Sequence, residues 1–153
     1  MSEQLNVLEN EMQELLRHGG AGARIPPNCF LAMKAEFVEY VSRQSLTVSF
    51  PVLEESLNPL GAMQGGFLAA AFDNAFGPLS YLTARSPCVT LNLSVQFVRP
   101  IEQGDQLTVC SKIVSRSPQV LHLSGEAFNS KNKLVATASA TATMVKSEQH
   151  ASP

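Results

Sequence analysis

Residues 64–76 read Gln64-Gly65-Gly66-Phe67-Leu68-Ala69-Ala70-Ala71-Phe72-Asp73-Asn74-Ala75-Phe76. Phe67, Leu68, Ala69–Ala71, Phe72, Ala75 and Phe76 are apolar nearly all round a helix, which is how a buried helix reads. Gly77-Pro78 follows at once and predicts that the helix ends or kinks there, because proline interrupts the backbone bonding. A helix apolar on every side needs a sheet wrapped about it.

The rest of the chain supplies that sheet. Downstream, Val89, Leu91, Leu93, Val95 and Phe97 alternate with Thr90, Asn92, Ser94 and Gln96, the cleanest strand pattern in the sequence. Strands follow at about 106–116, 119–128 and 133–145, parted by the turn candidates Ser117-Pro118 and Ser130 to Asn132. In the last, Ala136, Ala138, Ala140 and Ala142 alternate with Val135, Thr137, Ser139, Thr141 and Thr143. β-branched residues at every second place favour a strand. Its alanine face lets something large approach closely, and the apolar helix is the obvious candidate. Upstream, Phe37 to Val41 and Leu46 to Val52 predict a hairpin turning near Ser42 to Gln44. Leu5, Leu8, Met12, Leu15 and Leu16 recur at helical spacing, giving an amphipathic helix over about 3–17 that stops at Gly19-Gly20. The Gly/Ala/Pro-rich stretch to Pro27 reads as a loop. The expected order is α-β-β-α-β-β-β-β, an α+β class with an antiparallel sheet wrapped around one long central helix.

Bulk properties narrow the function. A chain of 153 residues suits a single domain, 1–153, with its core at about 34–145 and a polar tail at 146–153. A net charge of −2 argues against nucleic-acid binding, which usually needs a basic stripe. The longest apolar stretch, Phe67 to Phe72, is far short of the roughly 20 residues of a membrane span. Cys29, Cys88 and Cys110 are odd in number and form no C-x-x-C, which points to a reducing, cytoplasmic setting. They and the three histidines show no metal-ligand spacing. Acids dominate residues 1–57 and bases dominate 99–147. Within that basic zone Arg99 ends a strand and Arg116 sits at a turn, where a guanidinium could meet a phosphate.

Asp73 is the anomaly. After Glu55 it is the only charge until Arg85, and a lone carboxylate in an apolar helix stands either at an opening or there for a task. Gly65-Gly66 is the second feature. Glycines clear the way to the first backbone N–H groups, which lack intrahelical partners and carry the positive end of the helix dipole. Such a terminus can hold an anion or a carbonyl oxygen as charge develops on it; taken alone, the glycines favour a tight turn where the helix packs on the sheet. Eight residues at 1.5 Å each separate Gly65 from Asp73 by about 12 Å, so one straight helix cannot bring both to one reacting carbon. Two antiparallel copies can. Phe67, Phe72, Phe76 and Tyr81 either line an aryl or medium-chain pocket or are plain core. His18-Gly19-Gly20 has no acid nine residues on, His122 alternates within a strand as a structural or surface residue, and no serine has a nucleophile-elbow context.

With Asn58-Pro59-Leu60-Gly61-Ala62-Met63-Gln64-Gly65-Gly66, Asp73, and the strand Val89–Phe97 ending in Arg99-Pro100 assembled, the sequence resembles the hotdog-fold acyl-CoA thioesterases of the phenylacetyl-CoA (PaaI) type. That family shows Asn, Gly, then His-Gly-Gly leading the central helix, with Asp or Glu nine residues after the His. The resemblance implies a hotdog fold carrying an additional N-terminal helix. It also implies hydrolysis of a small aryl- or medium-chain acyl-CoA without a metal or redox cofactor, coenzyme A being part of the substrate. Asp73 becomes the nucleophile or general base, and the Gly65 N–H polarises the thioester carbonyl with Gly66 beside it. Asn58 orients the thioester or water, and Thr90 holds the water or Asp73. The site lies between the chains of a homodimer, with dimers pairing further into a tetramer. Phe67 and Phe76 would face the acyl group, and Arg99 and Arg116 the coenzyme A phosphates. Gln64 departs from the pattern: it donates a hydrogen bond but cannot titrate near neutral pH. Two rivals remain, a non-catalytic acyl-CoA-binding hotdog protein and a hotdog dehydratase or hydratase, the latter wanting the absent histidine.

Overall fold

The computed structural model describes residues 2–18 and 24–145. The elements run α1 (Glu3–His18), α2 (Asn28–Ala32), β1 (Glu36–Val41), β2 (Ser45–Pro51), a 3-10 turn (Glu54–Ser56), α3 (Gly65–Ala84), β3 (Cys88–Phe97), β4 (Gln106–Arg116), β5 (Val120–Phe128) and β6 (Leu134–Met144). The six strands form one sheet in the order β1-β2-β4-β5-β6-β3, every pairing antiparallel. α3 lies on its inner face. Leu68, Phe72, Phe76, Leu79 and Leu82 are buried there among Val48, Phe50, Leu107, Val109, Leu121 and Leu123. This is the sheet-on-helix arrangement that the sequence pattern implies, and the β1–β2 turn falls at 42–44 as expected.

One expectation needs correction. α3 does not stop at Gly77-Pro78 but continues to Ala84, with Pro78 inside it. Proline forfeits one backbone bond, yet Leu79 and Leu82, both fully buried, lie beyond it. Each buried leucine contributes about 1.5–3 kcal/mol, which outweighs the lost bond. Thr83 Oγ1 donates to the Leu79 carbonyl at 2.7 Å and Ser80 Oγ to that of Gly77 at 2.7 Å, so the hydroxyls of the last turns are satisfied. The short α2 is also new. Pro27 precedes it with extended backbone, and Phe30 anchors it in the core. The expected stop at Gly19-Gly20 and the tail 146–153 lie outside the described residues.

At Gly125, as well as over the alanines, the sheet leaves room for side chains of the helix. A Cβ built there would stand 3.0 Å from the Phe76 ring and 3.1 Å from that of Phe72. Gly125 is paired with Ala138, so a glycine and the alanine row together form the floor on which the stacked rings of Phe72 and Phe76 rest.

Candidate active site

Asp73 sits on the solvent-reaching side of α3, between buried Phe72 and Asn74. Its Oδ1 accepts a hydrogen bond of 2.8 Å from Thr90 Oγ1. Simple alternation places Thr90 on the polar row of β3, facing away from α3. A β-bulge at Leu91 changes this. Thr90 pairs with Ala142 but Asn92 with Thr141, so Leu91 is an extra residue without an opposite number. Directly opposed residues share a face. Thr90 therefore joins Leu93 and Val95 on the alanine face, while Val89, opposite Thr143, turns outward and is exposed. A bulge commonly re-aims a side chain in this way. Here it delivers a hydroxyl to a carboxylate.

The N-terminus of α3 is built by the loop before it. Asn58 Oδ1 accepts from the N–H groups of Leu60 (2.9 Å) and Ala62 (3.2 Å), and its own N–H donates to the Ala62 carbonyl at 2.7 Å. Asn58 thus shapes the turn that aims the helix. Gln64 is the N-cap, exposed, with an extended backbone and no side-chain capping bond. Its carbonyl accepts from Phe67 and Leu68, and among the described residues no acceptor meets the N–H of Gly65 or Gly66. The glycines also serve packing. A Cβ on Gly65 would stand 3.0 Å from Phe97 Cζ, and one on Gly66 would meet Gln64 Oε1 at 3.0 Å. Gly65 and Asp73 are the first and ninth residues of α3, so about 12 Å of helix separates them within one chain.

Asp73 and Thr90 open into a mainly apolar cleft of about 560 Å³, bounded by α3, β3, β1 and α1. Sequence reasoning missed most of its wall. Met12 and Leu15 of α1 line it, and their helical spacing was the available signal. Asn74, at its base, is buried among sulfur atoms: its amide accepts from Cys29 Sγ and donates to Met33 Sδ, each at 3.3 Å. Cys88 also lines the cleft, and burial pushes its thiol above the usual range, leaving it a poor nucleophile. Among the described residues, no three of His, Cys, Asp or Glu stand close enough to hold a metal ion.

Of the aromatic candidates Tyr81 borders the cleft, while the remaining sequence-predicted residues fall elsewhere. Phe76 is 2% exposed and packed in the core beside Phe72. Phe67 lies in a separate, smaller depression with Met33, Leu53 and Met63. Arg116 Nη1 donates to the Thr83 carbonyl at 2.9 Å, meeting a terminal carbonyl of α3 and the negative end of its dipole. Arg99 Nη1 donates to the Leu134 carbonyl at 2.6 Å and ties the end of β3 to β6. Both guanidiniums have structural partners, and neither borders the Asp73 cleft. His122 stands exposed on the outer face, with Thr141 Oγ1 3.3 Å from its Nδ1.

Comparison with known proteins bears on the family and the fold. Residues 60–136, just over half of the 153-residue chain, match the thioesterase superfamily. No curated protein matches the sequence. Among solved structures, the phenylacetic acid degradation-related protein of Ralstonia eutropha JMP134 is similar at 29% identity and a TM-score of 0.73, over 88% of this chain and 98% of that one. The Escherichia coli PaaI protein from the phenylacetic acid degradation operon superposes with a TM-score of 0.74 at 22% identity, over 78% of this chain and 85% of that one. The smu.793 protein of Streptococcus mutans UA159, solved bound to acetyl-CoA, gives a TM-score of 0.70 at 22% identity, over 82% and 95%. The segment that matches the superfamily spans α3, the Thr90–Asp73 pair and most of the sheet. The chain belongs to the thioesterase superfamily and is a hotdog-fold thioesterase, similar in structure to the PaaI proteins.

Proposed function

We propose that the chain hydrolyses an acyl-CoA carrying a small aryl or medium-length acyl group to the free acid and coenzyme A, with Asp73 as nucleophile or general base. The observation that carries this reading is Asp73 itself: a carboxylate held by Thr90 at the mouth of an apolar cleft, in a superfamily of thioesterases. The acetyl-CoA bound to the Streptococcus mutans protein supports coenzyme A as the thiol. In the general-base form, Asp73 takes a proton from water as its oxygen attacks the thioester carbon. The resulting oxyanion rests on a Gly65 N–H at the positive end of α3. The C–S bond then breaks, and the proton returns from Asp73 to the leaving thiolate. Water and thioester are consumed and no metal or redox cofactor takes part.

Because Gly65 and Asp73 are about 12 Å apart along α3, the reading requires the Gly65 N–H of a second chain. The edge strand β3 suits such pairing. Among the described residues no strand pairs with its outer edge, and Val89, Leu91 and Phe97 are 48%, 61% and 58% exposed along it. Long apolar edge strands of this kind are templates for another chain. We therefore place the site in a homodimer, with tetramers formed by pairing of dimers. The same reading puts the enzyme in the cytoplasm, supported by its three free thiols. Thiol release from short, medium, long and aryl acyl-CoAs tests it: turnover of at least one series is expected, and inertness toward all of them would overturn the hydrolase reading in favour of an acyl-CoA binder or a hotdog dehydratase or hydratase.

A further inference from the structure

The cleft at Asp73 has a far wall that the thioesterase core does not supply. α1 crosses it with one stripe of residues at helical spacing: Leu8, Glu11, Met12 and Leu15. Leu8 is buried and fastens the helix to the core, while Met12 and Leu15 lie against the core and also border the cleft. Glu11 is the odd member, an acid on an inward stripe. Its Oε2 accepts from Tyr40 and its Oε1 from Ser42, both at 2.6 Å. Two short bonds to a carboxylate fix both the position and the rotation of the helix. α1 is thus clamped to the β1–β2 hairpin, with Met12 and Leu15 presented at a set depth from Asp73.

Resting on the acyl-CoA reading, we propose that Met12 and Leu15 are specificity-determining residues that close the acyl pocket and set the longest chain it admits. The reacting carbon must sit at Asp73, so its acyl tail extends into the continuous apolar space toward α1. A cleft of about 560 Å³ is of ligand-site size. One methylene too many in a closed apolar pocket is discriminated by about 10- to 200-fold. The unbranched Met12 side chain fills whatever room a shorter substrate leaves.

The test compares kcat/KM for acetyl-, hexanoyl-, octanoyl- and decanoyl-CoA in the wild type, Met12→Phe, Leu15→Phe and Met12→Ala. Ratios between substrates on one enzyme sample do not depend on the fraction folded. The phenylalanine variants should lose at least about tenfold on the longest accepted chain relative to acetyl-CoA, and Met12→Ala should shift the preference toward longer chains. Equal factors for every chain length would overturn the proposal. Calorimetric binding of non-hydrolysable S-alkyl-CoA thioethers of the same lengths separates the two claims. Length-dependent weakening in Met12→Phe without wild-type turnover keeps the wall and removes the hydrolase reading. Length-independent binding with turnover intact removes the wall alone.

Discussion

Thr90 Oγ1 donates to Asp73 Oδ1 at 2.8 Å only because the bulge at Leu91 turns Thr90 onto the face that α3 covers. A hydrogen bond to a charged group contributes about 1.5–3 kcal/mol, or roughly 10- to 100-fold if it serves the transition state. Thr90→Ala should therefore lower kcat by about tenfold or more, and Thr90→Ser should restore most of it. Steady-state thiol release on the two variants decides the matter; wild-type kcat in Thr90→Ala would show that the bond is incidental.

The clamp on α1 has a pH signature. Burial, followed by the bond to Glu11, pushes the Tyr40 phenol up from 10.0 to about 12. A raised pKa favours the neutral phenol in the folded state, so its stabilisation is complete below about pH 10 and is lost as pH rises toward 12. Thermal melts from pH 8 to 12 should show that decline in the wild type and a flatter curve in Tyr40→Phe. Parallel curves would mean that another group governs alkaline unfolding.

Gly125 tests the packing of helix on sheet. A methyl group there meets two rings belonging to one buried stack, at 3.0–3.1 Å. Overpacking of this kind costs about 1–3 kcal/mol. Gly125→Ala should lower the urea midpoint by the corresponding amount without changing the slope, and an unchanged midpoint would show that the rings shift freely.

The shared site is open to complementation. Gly65→Pro deletes the N–H at the first helical position, where proline is well tolerated, and the extended backbone of Gln64 is compatible with it. Gly65→Ala imposes a similar contact on Phe97 while keeping the N–H, and so serves as control. Asp73→Asn and Gly65→Pro homodimers should be nearly inactive. Their heterodimer should recover up to about half the wild-type activity, since one of its two sites collects both intact groups. A verified heterodimer without activity would place each site within one chain.

Much of this was legible in the sequence because hydrophobic periodicity reports burial directly. The apolar run Phe67–Phe76 and the alternating alanines of 136–142 demand a helix laid on a strand, and Asp73 is conspicuous against them. The remainder depends on contacts that periodicity does not carry. A bulge leaves the alternation of Val89–Phe97 looking unbroken while it reverses the face of Thr90. Pro78 reads as a helix stop because the burial of Leu79 and Leu82 is a tertiary effect. Arg99 and Arg116 read as candidates for a phosphate, and nothing in the sequence signals the Leu134 and Thr83 carbonyls to which each donates. Phe76 has the composition of a pocket residue and the surroundings of a core one.

On the proposed mechanism the Asp73 carboxylate drives thioester hydrolysis. Asp73→Asn keeps the side-chain shape and the oxygen that Thr90 bonds, and removes only the base or nucleophile. Single-turnover thiol release from the best acyl-CoA substrate, with excess folded enzyme, reads that step directly. The rate should fall at least about a hundredfold, the scale of general-base catalysis. Release at near the wild-type rate in Asp73→Asn would show that Asp73 is neither base nor nucleophile.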